Sequence, residues 1–225
     1  VASSAKTAAL AVGAVGAAGA AAAIAWTKGM VDAGVQVQRQ AQLANASTTE
    51  FQKMAFAARS VGIENDKLSD ILKDVNDKVG EFVNTGGGPL QDFFKNIAPQ
   101  VGVTADQFAR LSGPEALQLY YTSLEKAGLS QQQMTFYMEA LASDATGLIP
   151  LLQGNAEQLK KLGDVAQSSG MIMSDYTIAA SKELHDNMGL LSGSIGGVSN
   201  SLANTAIPII NEFTNELLHG QDGVS

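Results

Sequence analysis

From Thr7 to Trp26 the chain reads TAALAVGAVGAAGAAAAIAW, twenty residues without a charge. As a helix, such a run spans roughly 30 Å, the thickness of a bilayer core. Lys6 and Lys28 flank it, and Trp26 sits where an interfacial ring would sit. Its composition makes insertion marginal. Eleven of the residues are Ala and three are Gly, and the large aliphatics are Leu10, Val12, Val15 and Ile24. At roughly −0.5 kcal/mol each, those four contribute only about −2 kcal/mol towards insertion. Small residues serve close packing better, because they let helix backbones approach one another. Gly13, Gly16 and Gly19 recur every third residue, and Ala14, Ala18 and Ala22 every fourth. The expectation is a membrane-capable helix that packs against copies of itself, with Leu10, Val12, Gly13, Val15, Gly16, Gly19, Ile24 and Trp26 in the contact. An ordinary buried Ala-rich helix is the plainer alternative.

Charge separates this segment from the rest. Residues 1–49 hold Lys6, Lys28 and Arg39 against Asp32, a net of +2, which leaves −10 of the total −8 to the remainder. That balance argues against a general nucleic-acid binder, since phosphate contacts need cations. With no cysteine, disulfides and thiolate metal sites are excluded. The first residue is Val1 and the last five, Gln221 to Ser225, carry no closing signal, so the chain reads as an internal piece of a longer polypeptide.

After a Gln-rich polar helix or linker at residues 28–49, helix signals recur, the first overlapping its end. Ser47-Thr48-Thr49-Glu50 has the form of a capping box, followed by Phe51, Met54, Ala55 and Ala58 on one helical face. Gly62 suits a left-handed stop. Leu68, Ile71, Leu72, Val75, Val79 and Phe82 form the stripe of the next helix, with Asp70, Asp74, Asp77 and Lys78 opposite. Pro89 fits the first turn of a helix through Phe93, Phe94 and Ile97, which Pro99 is expected to end. Thr104-Ala105-Asp106-Gln107 and Ser130-Gln131-Gln132-Gln133 are two more boxes. Between them Pro114 opens a helix with Leu117, Tyr120, Tyr121 and Leu124 on one side; Met134, Tyr137, Met138 and Leu141 follow the last box. Further helices are expected over Leu148–Leu152, Asn155–Gln167 and from Ser174 onward.

That last helix carries Leu184, Met188, Leu191, Ile195, Val198, Leu202, Thr205 and Ile209 at alternating steps of four and three, a heptad seam. Gly189, Gly193, Gly196, Gly197 and Pro208 weaken it as an isolated helix. It therefore needs a partner surface, either its own domain or other copies. No window alternates with period two. The fold class is all-α, organised as a hydrophobic helix and polar linker at 1–46, a short-helix domain at 47–172 and a long helix at 173–225.

No constellation for catalysis stands out, and neither metal nor cofactor is called for. His185 and His219 lack partner patterns, and His185 reads as a surface or seam residue. Gly86–Pro89 lacks the Lys-Ser/Thr of a phosphate loop, and Ser192–Gly197 has no preceding strand. The acidic side chains Asp70, Asp74, Asp77, Asp175, Glu183 and Asp186 read as solvated faces.

The order of segments is more informative than any single motif. FQKMAFAARSVGI is followed by NDKLSDILKDVNDKVGEF, GGGPLQDFFKNI and GVTADQFARLSGPEALQLYYTSLEKAG. Then come MEALASDATGLIPLL, NAEQLKKLGDVAQSSG and SDYTIAASKELHDNMGLL. Over roughly residues 47–215 this run resembles the tape measure proteins of long-tailed bacteriophages, in the region after the long coiled-coil tape. The resemblance implies a structural virion protein rather than an enzyme. Such a protein lies in the tail lumen near the tip and supports tail assembly, tail length determination and DNA ejection. It implies a homo-oligomer of three copies, neighbours among tail tube and tail tip proteins, and contact with the host membrane on infection. Phage DNA passes without specific binding. The chain departs from the family in lacking the long tape. The competing reading is a membrane-anchored bacterial translocator or pore-forming helical module.

Overall fold

The computed structural model describes the backbone of residues 17–194 and the side chains of residues 27–187. Among the described residues there are helices and turns and no strand, so the chain is all-α there. It divides into two compact units, Val37–Asp175 and a second formed by the segments Val1–Gln36 and Tyr176–Ser225.

The helix α1 (Ala17–Leu43) runs from one unit into the other. The Gln-rich stretch is thus helix, not linker. Its last turns join the core of the Val37–Asp175 unit, where Gln40, Ala41 and Ala44 are buried. That core accordingly begins before residue 47. Gln40 Nε2 donates to Asp66, and Ser69 Oγ donates to the Gln40 carbonyl at 3.4 Å.

The next two helices, α2 (Thr48–Arg59) and α3 (Asn65–Thr85), pack on each other as a hairpin. Ser47 Oγ accepts from Glu50 N at 3.1 Å. Only half of the box forms, because the Glu50 carboxylate turns away to accept from Ser112 Oγ at 2.6 Å. Phe51, Met54, Ala55 and Ala58 are buried, as are Leu68, Ile71, Leu72, Val75 and Val79. Gly62 takes φ 79° in the turn between the helices.

The segment after Pro89 differs from expectation. Phe93–Ile97 is one π-helical turn, and α4 (Ala98–Val101) continues from it with Pro99 in its first turn. Pro99 therefore opens a turn instead of closing a helix. The wider π turn, in which Ala98 N donates to the Phe93 carbonyl, takes the chain past a residue that has no N–H and would crowd an ordinary helix. It also aims Phe93 and Phe94 at the same aromatic group. Phe94 stacks on Phe82 at 4.2 Å, and Phe93 lies 4.3 Å from Tyr120 and 5.8 Å from Phe108, centroid to centroid.

Thr104 caps α5 (Ala105–Phe108) with a complete box. Ser112 caps α6 (Gly113–Lys126) with another, its serine and Glu115 bonding reciprocally. Gly113 is there for space: a Cβ would lie 2.2 Å from the Ala44 carbonyl oxygen. Its N–H donates to the Asn45 carbonyl at 3.2 Å, and Asn45 Nδ2 donates back to the Leu111 carbonyl. This exchange ties the end of α1 to the start of α6. The third box, at Ser130, opens α7 (Gln131–Leu141). Tyr120 Oη donates to the Tyr137 carbonyl at 2.8 Å and binds α6 to α7.

A 3-10 turn at Ala145–Leu148 leads to α8 (Ile149–Ser168). That helix is broken at Gln153, after which Gly154, Asn155 and Ala156 all take left-handed φ near 60°. The two expected segments on either side of residue 153 are therefore distinct. Helix α8 packs closely on α2, where Gly163 leaves room for Lys53: a Cβ at 163 would stand 3.2 Å from Lys53 Cβ.

In the other unit, the described part of α1 buries Thr27, Val31 and Gly34 on one stripe, at steps of four and three. The helix α9 (Asp175–Ser194) buries Ile178, Ser181 and Leu184. His185 Nδ1 lies 3.8 Å from Asp32 Oδ1, which sets the two helices side by side.

Candidate functional site

The Val37–Asp175 unit carries a groove of about 710 Å³ walled by α2, α6 and α8. Its apolar lining comes from Met54, Leu111, Pro114, Leu119, Leu152 and Leu159. Met54 and Leu152 are buried core residues seen at the bottom, while Leu111, Pro114, Leu119 and Leu159 are only partly covered. Two sequence features shape it. The apolar stripe of α6 is wider than its buried core face, because Leu119 adds to Leu117, Tyr120, Tyr121 and Leu124. The left-handed break at Gly154–Ala156 steps α8 sideways and places Asn155 and Ala156 in the wall.

Six charged residues line the groove: Glu50, Lys53, Glu115, Lys126, Lys160 and Asp164. They are not mixed at random. Glu50 and Glu115 converge on Ser112, the first accepting from its Oγ and the second from its N–H at 3.0 Å. Both carboxylates therefore sit at the N-terminal end of α6. Lys53 reaches Asp164 at 3.8 Å, with the Asp164 side chain 80% exposed, so this pair contributes little to stability. Lys126 closes α6 at the other end. Lys160 Nζ bends back to the Asn155 carbonyl at 3.0 Å and so lies towards the start of α8. That start adjoins the end of α6, where Gly154 N donates to Glu125 Oε1 at 3.4 Å.

Such a site can bind; nothing in it points to bond-making. Elsewhere the perturbed groups are structural. Burial raises the Tyr120 phenol, and its hydroxyl is spent on the Tyr137 carbonyl. Asp77 raises Lys73 and Lys182 lowers Asp186, each through a hydrogen bond one helical turn away on an exposed face.

The residues singled out from sequence fall elsewhere. Leu10, Val12, Gly13, Val15 and Gly16 lie outside the described residues, as do Ile195, Val198, Leu202 and Ile209. Gly19, Ile24 and Trp26 are in α1, and Met188 and Leu191 in α9, with only their backbone described. Leu184 is 4% exposed within the single chain. Among the described residues no helix is long and apolar enough to cross a membrane, and no cluster of potential metal ligands forms. The groove itself went unread in the sequence. Its lining is gathered from positions 50–54, 111–126 and 152–164, which only packing brings together; the extra Leu119 was the one local signal. No protein-family model, curated protein or solved structure matches the chain.

Proposed function

We propose that this chain is a structural segment of a tape measure protein of a long-tailed phage, held in the tail lumen near the tip. In this reading it acts by self-association in three copies, by docking to tail tube and tip proteins, and by reaching the host membrane during DNA ejection. It carries out no catalysis and needs no cofactor. The observation that supports the reading is the helical character of the run of segments on which the resemblance rests. From FQKMAFAARSVGI to SDYTIAASKELHDNMGLL, the cores of the segments form helical elements in sequence order, and α2 to α8 share one core. The linear signature thus corresponds to one packed body followed by a long helix.

The test is to raise antibodies against residues 37–175 and label purified, gently disrupted particles for electron microscopy. Label at the tail tip, with three copies per tail by quantitative mass measurement, is the expected outcome. A particle preparation that is infectious and contains none of this chain would end the proposal. The same preparation, mixed with liposomes, asks whether residues 7–26 enter a bilayer after release.

A further inference from the structure

We propose that the groove between α2, α6 and α8 is the docking site for one amphipathic helix of a partner protein, about three turns long, with basic residues at one end and acidic residues at the other. The inference stands on the groove alone and does not depend on the tail assignment. Three helices already pack together around it, and the open side is where a fourth rod would complete a bundle. Leu111, Leu119 and Leu159 line the groove and are partly exposed, which offers apolar contacts to the stripe of an amphipathic helix.

Charge selects the occupant. The acidic end is fixed by Glu50 and Glu115, both held on Ser112. The basic end has Lys126, exposed at the last turn of α6, and Lys160, drawn back to the Asn155 carbonyl. Glu125 lies at this end as well, but its carboxylate is directed to the Gly154 N–H and it is not part of the lining. Lys53 and Asp164 neutralise each other across one wall. Glu115 and Lys126 are eleven positions apart on one helix, which is about 16 Å at 1.5 Å per residue. A rod of about eleven helical residues spans the same distance, so its end charges meet opposite charges at both ends of the groove.

The test uses the whole 225-residue chain and three fluorescein-labelled helical peptides sharing one leucine stripe. One carries Lys at one end and Glu at the other; the controls carry Lys at both ends or Glu at both ends. By fluorescence anisotropy, the bipolar peptide is expected to bind at least about tenfold more tightly than either control. Leu119→Asp should abolish that binding while circular dichroism reports an unchanged fold. Because a groove mutation can also unsettle packing, a second variant on exposed positions is decisive. The double substitution Lys126→Glu with Lys160→Glu should shift preference to the doubly basic peptide. Phe136→Ser, at an exposed position on α7 away from the groove, should change nothing. Equal affinity for the three peptides, no binding of any, or binding indifferent to Leu119→Asp would overturn the proposal. So would sedimentation showing that the wild-type chain self-associates and the Leu119→Asp variant does not, since a second copy would then be the occupant.

Discussion

Gln52 holds more of the structure than its polarity suggests. It is 8% exposed, in the middle of a helix, and its amide exchanges two hydrogen bonds with the backbone of Met173. A third goes to the Thr48 carbonyl. Near it, Thr48 Oγ1 donates to Asp175. Together they pin the connection after α8 onto α2, 121 residues away in sequence. Gln52→Ala should therefore cost about 1–3 kcal/mol, because it leaves both backbone groups of Met173 without partners. Native-state hydrogen exchange should show the Met173 amide losing protection; an unchanged exchange rate there would mean that the bonds contribute nothing.

Tyr120 gives a residue-scale expectation in pH. Burial raises its phenol in the folded chain, with the Tyr137 hydroxyl adding to the shift. In the unfolded chain the phenol ionises near the ordinary value of about 10. Above that pH the unfolded state binds fewer protons than the folded one, so stability falls as pH rises. Tyr121 and Tyr137 are raised in the same direction and add to the slope. The unfolding free energy from urea titrations should decline from about pH 10 upward, by about 1.4 kcal/mol per pH unit for the buried Tyr120 phenol. Tyr120→Phe should flatten that decline while costing about 1 kcal/mol at neutral pH for the lost hydrogen bond. An identical alkaline slope in the variant would assign the effect to the other tyrosines.

At the scale of elements, α3 and α8 show two different ways a helix is specified. Helix α3 is set by its stripe: Leu68, Ile71, Leu72 and Val75 recur at helical spacing and all are at most 2% exposed. Leu72→Ala should cost about 2–5 kcal/mol by transfer and cavity terms together. A loss below about 1 kcal/mol in denaturant unfolding would mean that the cavity collapses or the stripe is misplaced. Helix α8 is set by a break. Ala156 holds φ 56°, where an L-residue costs about 1–2 kcal/mol, and the residue is 1% exposed. Gly154 holds φ 59° with open space around its missing Cβ. The two positions should respond in opposite directions. Gly154→Ala should destabilise by about 1 kcal/mol through the backbone alone, whereas Ala156→Gly should be neutral to slightly stabilising, strain relief offsetting the lost methyl contact. If both substitutions destabilise equally, the left-handed run is not what shapes the chain there.

At the scale of the whole molecule, the boundary at Val37 and Asp175 is the useful feature. The unit between them has its own core, from Ala41 through Leu152, and its own closing contacts at Gln52 and Thr48. Residues 37–175 expressed alone should be helical and unfold in one cooperative transition, as a domain of this size does. A broad, non-cooperative melt of that piece would show that the flanking helices are needed for its stability. Leu184 belongs to the other unit and is buried without any second copy.

The sequence by itself determined the helices, their order and most of their starts. Box residues at Thr104 and Ser130, the stop at Gly62 and the stripe of α3 act within a few residues of one another, so their physics is local and readable in one dimension. It was misleading at Pro99, because a proline reads as a stop unless a π turn precedes it, and the Phe93 and Phe94 of that turn pack on Phe82, Phe108 and Tyr120, partners that only the tertiary structure brings together. It gave the Glu50 backbone N–H its partner, Ser47, but not the Glu50 carboxylate: Ser112 is 62 residues away and competes only once the core has closed. The groove was likewise a decision of the tertiary structure. Three helices must pack before Leu119 has a wall opposite it, and before two carboxylates and two ammonium groups can face one another across about 16 Å of shared surface.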